Sequence, residues 1–321
     1  QCETFLANNR SPNRAFVYDQ VVSFGELLST SIICAYLNHV GIAAEWVDAR
    51  SCIKTDNCYR SAHLNWEQTQ SAIQDQIQGN VLKVTQGFIA SDMNNFTTTL
   101  GREGSDYTAA IFAYCLGATD VTIWKDVQGV LNADPRVFDK TQLLEHISYQ
   151  EAIELAFYGA SVIHPKTLQP LQRKEIPLYV KSFLNPKQKG TKVGKGVPMQ
   201  PEIPCYIVKK GLSLLRLSTR DFSFVVEDNI SDIFKLLHEH KMSVDVIQNS
   251  AISFSVCVED TYHKMDALLL ALRSRFDVKH TPDVSLYTIR HFEENSANTL
   301  LSTHDLVLEQ RTATTLQLVL K

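Results

Sequence analysis

A strong charge of either sign is missing from this chain of 321 residues. Its 31 lysines and arginines stand against 35 acidic residues, a formal net charge of −4, so there is no basic footprint for nucleic acid or a membrane surface. No apolar run approaches the roughly 20 residues of a membrane span. Disulfide chemistry is not indicated either. The seven cysteines (Cys2, Cys34, Cys52, Cys58, Cys115, Cys205, Cys257) are odd in number, and only Cys52 and Cys58 lie close together. That pair lacks the C-x2-C or histidine spacing of a zinc site, and the set reads as reduced packing thiols of a cytoplasmic protein. The N-terminus, Gln1-Cys2-Glu3-Thr4, has neither an initiator methionine nor a signal-peptide pattern, which predicts a start inside a longer gene product. What remains is a composition that is 44% hydrophobic, of a length that favours two compact units and a small polar partner.

Between about residues 20 and 183, strand-like runs alternate with helical segments, the pattern of an α/β fold with a mainly parallel sheet covered on both faces. Residues 26–40 place Leu27, Ile32 or Ile33, Tyr36, Leu37 and Val40 near helical spacing, with Gly41 at the C-terminal stop. A strand is expected over 45–48. Stretches 81–88 and 121–124 have the content of buried strands, and 105–116 reads as a helix closed by Gly117. Residues 185–204 collect four prolines, four lysines and three glycines, the composition of a linker. It separates a region 1–184 from a region 205–321. In the latter, 212–217, 230–240, 244–248, 252–258, 262–276 and 284–291 read as βαββαβ, the ferredoxin-like order. A shorter echo follows, helical over 297–303 with a hairpin over 306–309 and 314–320, to be completed by 205–208 or a second chain. One full unit thus covers about 212–281, and a partial one about 282–321 with 205–210.

Three stretches carry the chemistry. In TTTLGREGSDYTAA (97–110), Gly101 and Gly104 precede a helix that Ser105 is expected to cap, a start that presents unpaired N–H groups to a phosphate. For the glycine spacing alone, a tight turn with a capped helix is the favoured reading. Arg102 and Asp106 in the same turn add a fork for a carboxylate and an acid for an ammonium or a phosphate-bound Mg2+. In VTIWKDVQGVLNADPR (121–136), a strand runs into a polar loop at the end where open α/β sheets bind ligands; a solvated turn set by Gly129 and Pro135 is the alternative. In SFGELLS (23–29), Gly25 precedes Glu26 at an expected helix start, where a carboxylate is favoured by the dipole alone.

Together, SFGELLS, VTQGFIAS, TTLGREGSDYTAA, IWKDVQGVLNADPR and FYGASVIHPKTLQPL resemble the blocks of the aspartokinase family in order and spacing. The resemblance runs over about 15–321, and MSVDVIQNSAISFSVCV is similar to the strand pair of a first ACT unit. It implies an amino-acid kinase fold followed by an ACT regulatory region. The activity implied is transfer of the ATP γ-phosphate, with Mg2+ carried by ATP, to the β-carboxylate of L-aspartate. By family match, Arg102 pairs with the substrate α-carboxylate and Glu26 with its ammonium. Ser105 and Asp106 lie beside the acceptor, with Asp106 ordering the reacting groups. Lys125 and Asp126 border the adenosine, and Leu131, Asp134 and Arg136 complete the nucleotide contacts.

Two departures stand out. The family's K-F-G-G-[TS] block, whose lysine stabilises the transferring phosphoryl group, is absent, which suggests a truncated enzyme. Ser161 also stands where many members carry a lysine. In the ACT region the resemblance assigns an effector, lysine or threonine, to Ser218, Thr219, Asp221 and Phe222 and to Ser243, Val244, Asp245, Asn249 and Ser250. Ala251, where lysine-sensing relatives often carry glutamate, weakens lysine specifically. Pairing through the ACT regions into a homodimer or homotetramer is expected. The rival reading is an amino-acid sensor with impaired catalysis; a glutamate or acetylglutamate kinase would share the fold but lack SFGE and the ACT tail.

Overall fold

The structure, a computed structural model, describes residues 2–160, 162–196, 198–221 and 223–321. They divide into two compact units, one of 1–130, 143–156 and 161–201, the other of 131–142, 157–160 and 202–321.

The first unit opens with α1 (Cys2–Asn8) and α2 (Arg14–His39). The Asn13 side chain accepts the backbone N–H groups of Ala15 at 3.0 Å and Phe16 at 3.1 Å, satisfying two donors that a helix start leaves unpaired. The helix therefore starts at residue 14, not 26, and both Gly25 and Glu26 lie inside it. Part of its apolar set faces outward, for Leu28, Ile32, Ile33 and Tyr36 are exposed. By length and composition α2 is also apolar enough to cross a membrane, which corrects the expectation that no run reaches that length. It is tied into the unit by packing of Phe16 against Tyr59 and Phe96, with ring centroids 5.3 and 5.4 Å away, and by polar bonds such as Gln20 Nε2 to the Thr97 carbonyl at 2.7 Å.

Next, β1 (Ala44–Val47) pairs in parallel with β2 (Leu82–Thr85), with α3 (Ala49–Cys52) and α4 (Trp66–Gln76) between them in the chain. The short antiparallel pair β3 (Ile89–Ser91) and β4 (Thr97–Thr99) is wholly buried. Helix α5 (Gly104–Leu116) stops at Gly117, whose φ of 63° is the left-handed value that favours glycine there. Ile53, Ile73, Leu100 and Ile111 form the centre of this core, each 1% exposed or less.

The remainder of the unit is β5 (Val121–Lys125), β6 (His146–Ser148), α6 (Tyr149–Tyr158), α7 (Pro165–Lys174), β7 (Leu178–Ser182) and β8 (Thr191–Gly194). Its sheet has the order β5-β7-β8-β6, parallel at β5-β7 and β8-β6 and antiparallel at β7-β8. Parallel pairing thus falls in two separate sheets rather than one. Expected burial is also incomplete, since Leu82 of β2 and Trp124 of β5 are exposed. The stretch read as a linker contains β8, with Val193 fully buried.

The second unit holds β9 (Cys205–Thr219), α8 (Glu227–Glu239), β10 (Ser243–Asn249), β11 (Ser253–Glu259), α9 (Met265–Arg273), β12 (Phe276–Arg290), α10 (Asn298–Leu301), β13 (Leu306–Arg311) and β14 (Thr315–Leu320). One sheet runs β10-β11-β9-β12-β14-β13. Two 15-residue strands make it continuous. The C-terminal half of β9 is the first strand of a ferredoxin-like unit, and its N-terminal half pairs with β12 as the fourth strand of the next, from Lys209 opposite Leu286 to Cys205 opposite Arg290. Residues 205–208 complete the second unit from within this chain, one of the two expected routes. Helices α8 and α9 cover one face through Ile233, Leu237, Leu268 and Leu272, packed on Leu217, Phe254 and Phe276.

Candidate active site

The turn after β2 and the start of α5 are built against each other. A Cβ on Gly87 would lie 2.8 Å from both Cβ and Oγ of Ser105, so only glycine lets the two backbones approach this closely. The N–H of Phe88 donates to Thr108 Oγ1 at 3.0 Å, and its carbonyl accepts the N–H of Leu100 at 2.9 Å. These bonds lock VTQGF to GREGSD. A cavity of about 410 Å³ opens beside the joint, lined by Lys83, Thr85, Gln86, Gly87, Ser105 and Thr108 among others. Thr85 Oγ1 is buried there without a hydrogen-bond partner among the described residues.

Ser105 does not cap α5. The N-cap is Glu103, in the left-handed conformation (φ 54°, ψ 31°) with no side-chain cap bond, and Ser105 lies inside the helix. This frees the Glu103 carboxylate to turn toward the end of β5. There the Lys125 ammonium lies 2.9 Å from Asp106 Oδ2 and 3.3 Å from Glu103 Oε2. Asp106 Oδ2 is buried, and the Lys125 ammonium at 2.9 Å is its ion-pair partner. Burial raises the Asp106 carboxyl above its ordinary value against the pull of Lys125. Burial pushes Lys125 down, but the two carboxylates outweigh it and hold its proton more tightly than usual.

Arg102, one turn earlier, is exposed and makes no ion pair among the described residues. Its charge reaches His164, which burial, Lys166 and Arg102 together hold below the ordinary histidine value. Glu26 sits within α2 and makes no contact with Arg102 among those described. It is joined to the site through its carbonyl, which accepts the Thr30 hydroxyl at 2.9 Å. That hydroxyl in turn accepts Gln86 Nε2 at 2.7 Å, and Gln86 precedes Gly87.

The remaining expected residues are less converged. Asp126 is exposed on the loop after β5. Leu131, Asp134 and Arg136 belong to the second unit, whereas Lys125 and Asp126 belong to the first. Asp134 and Arg136 pair with each other at 2.7 Å, and that guanidinium holds Asp134 below its ordinary value. In the second unit, Ser218, Asn249 and Ser250 gather at one end of the sheet, where Ser218 pairs with Ser253 and Ser250 Oγ lies 2.7 Å from Ser253 Oγ. Thr219 and Asp221 follow, each bonded to Ser223. Ser243, Val244 and Asp245 occupy the opposite end of β10. Asp245 Oδ1 is taken by Lys209 Nζ at 2.5 Å. Ser161 and Phe222 lie outside the described residues.

Two residues that sequence reasoning missed organise this region. Glu103 was hidden by its glycine-rich surroundings, although it stands one helical turn before Asp106. Asp19 is fully buried and accepts the N–H groups of Arg60 and Thr99, both at 2.9 Å, and the Thr99 hydroxyl at 3.0 Å. Burial raises its carboxyl and these donors oppose the rise. Its seven-residue spacing from Glu26 puts both on one face of α2, a signal visible once the helix is carried back to residue 14.

Known proteins match this arrangement. Lysine-sensitive aspartokinase 3 of Escherichia coli (strain K12) is 35% identical over 246 residues, which are 76% of this chain and 55% of the relative. Aspartokinase 1, chloroplastic, of Arabidopsis thaliana is 36% identical over 251 residues, covering 75% and 43%. The chain therefore spans about half the length of the curated relatives it matches. The crystal structure of E. coli aspartokinase III in complex with aspartate and ADP (R-state) superposes with a TM-score of 0.80 at 27% identity, over 99% of this chain and 75% of that one. The model of the amino acid kinase family matches residues 3–182, a span that contains the Gly87–Ser105 joint and the Glu103, Asp106 and Lys125 cluster. On that match the chain belongs to the amino acid kinase family.

Proposed function

We propose that this chain is part of an aspartate kinase that transfers the γ-phosphate of ATP to the β-carboxylate of L-aspartate, giving 4-phospho-L-aspartate, the first step toward lysine, threonine and methionine. The observation that carries the reading is the start of α5. An exposed Arg102, without an ion pair among the described residues, stands one turn from Asp106, whose side chain is 14% exposed, in a family whose similar members are aspartokinases. Phosphoryl transfer to a carboxylate needs positioning and charge stabilisation more than covalent help. Arg102 supplies the planar fork for the α-carboxylate, and Glu26 is assigned to the ammonium. Ser105, at the cavity wall, lies beside the acceptor. Asp106 orders the reacting groups, and its charge is held by Lys125.

Lys125 and Asp126 are assigned to the nucleotide. Two carboxylates, Glu103 and Asp106, share one ammonium, which leaves one negative charge. That charge balance fits a nucleotide-bound Mg2+, which would supply charge neutralisation of the phosphates.

The double ferredoxin-like unit supports an ACT role with lysine or threonine as effector. Its sheet has β10 and β13 at its edges, strands on which a second chain can pair, in keeping with a homodimer or homotetramer. Seven free cysteines accord with a reducing compartment such as the cytoplasm. The test is ADP release by the full-length gene product with aspartate, glutamate or no acceptor. Turnover only with aspartate supports the assignment; turnover with glutamate instead, or none while amino acids still bind, replaces it with another acceptor or with the sensor.

A further inference from the structure

The loop 54–64 lies outside the cluster just described and is held firmly. Thr55 and Leu64 form an isolated bridge, the N–H of Asp56 donates to the His63 carbonyl at 3.0 Å, and the N–H of Arg60 is fixed by buried Asp19 at 2.9 Å. On this backbone Asp56, Cys58 and His63 turn to solvent, and one donor atom from each lies within 4.8 Å of the others. Asp56 organises the group. Its Oδ1 accepts the N–H groups of Cys58 at 3.1 Å and His63 at 2.9 Å, while Oδ2 lies 2.8 Å from His63 Nδ1.

Carboxylate, thiolate and imidazole are the three ligand types that zinc accepts, with bonds of about 2.0–2.3 Å, so donors around one ion stand about 3–4 Å apart. The present spread closes by rotation of the exposed Cys58 and His63 side chains about the fixed Asp56 carboxylate, His63 being 79% exposed. Sequence spacing pointed away from zinc because it compared Cys58 with Cys52. Cys52 is fully buried and takes no part; the ligands follow the pattern D-x-C-x4-H, joined by the fold of the loop. A thiolate and an imidazole also exclude a hard ion such as Mg2+ as the preferred occupant.

We propose that Asp56, Cys58 and His63 form a binding site for Zn2+, with three protein ligands and a water in the fourth position. The test of this site does not use activity. The protein is titrated with Co2+ as a spectroscopic stand-in, following the thiolate-to-cobalt charge-transfer band, and the ion is then displaced with Zn2+. The expected result is one equivalent bound, with the band removed in Cys58→Ser and affinity lowered at least about tenfold in His63→Ala. Cys2→Ser, a change at the other cysteine that is not buried, should leave the band intact, and excess Mg2+ should not compete. All three ligands are exposed, so unchanged far-ultraviolet circular dichroism is expected in both ligand variants. A wild-type protein without the band, or a band that survives Cys58→Ser, overturns the proposal.

Discussion

Lys125 and Asp106 meet at 2.9 Å where the end of β5 faces the first turn of α5, with side chains only 19% and 14% exposed. A pair this withdrawn from water is costly to break on one side, because the survivor keeps its desolvation without its partner. Lys125→Met should destabilise the protein by about 1–3 kcal/mol, less than a fully buried pair because water still reaches the edge. Asp106→Asn should cost less stability but lower kcat far more than it alters nucleotide affinity. Denaturant unfolding and steady-state kinetics on both variants check this.

Arg102→Ala should behave in the opposite way. The side chain is exposed and makes no ion pair among the described residues, so stability should hold within about 0.5 kcal/mol. Loss of the carboxylate clamp should appear mainly as a raised KM for aspartate, equivalent to on the order of 2–5 kcal/mol. An unchanged KM would refute the clamp.

Glycine has opposite value at two positions. Gly87→Ala would drive a Cβ to 2.8 Å from Ser105 and should cost about 1–3 kcal/mol. Gly25→Ala, inside α2 with nothing within 4 Å of the added Cβ, should stabilise by about 0.5–1 kcal/mol. Unfolding midpoints at constant denaturant slope distinguish the two signs.

Alkaline pH should weaken the fold through two buried thiols. Burial pushes Cys115 up to about 11, and burial with the Asp245 charge pushes Cys257 up to about 12. Below about pH 8 both thiols are neutral in the folded and unfolded chain, and the stability they permit is fully present. As pH rises past 9 the unfolded chain ionises first, so stability falls by roughly 1.4 kcal/mol per unit for each thiol until its folded value is reached. Unfolding free energies between pH 8 and about 11 should show this slope, and Cys115→Ala should reduce it.

Much of this architecture was legible in the sequence, for identifiable reasons. The βαββαβ order emerged because its strands and helices carry clear periodicity, and Gly117 announced the end of α5. The start of α2 was not legible, since Gly25 mimics a boundary while the true cap, Asn13, follows Pro12. Strand β8 was hidden in a stretch rich in lysine and proline. Only four residues long, it is held by partners on both sides, a tertiary effect that local composition does not record. The length of β9 was masked by Lys209-Lys210-Gly211. Gly211 has φ 72°, and the ladder to β12 changes register near it, so a bulge rather than a break accounts for the polar interruption. At the candidate site, motifs singled out Asp106 and Lys125, which the structure places 2.9 Å apart. Their ion pairing was not legible, because Glu103 acts through a backbone conformation that its residue type does not announce.

The product itself offers the sharpest discrimination. An acyl phosphate on the aspartate β-carboxylate is trapped by hydroxylamine as the β-hydroxamate. The full-length protein with ATP, Mg2+ and L-aspartate should yield that hydroxamate, and Asp106→Asn should yield almost none. ATP consumption without any hydroxamate, or equal hydroxamate from Asp106→Asn, would contradict the assignment of this site to phosphoryl transfer onto aspartate.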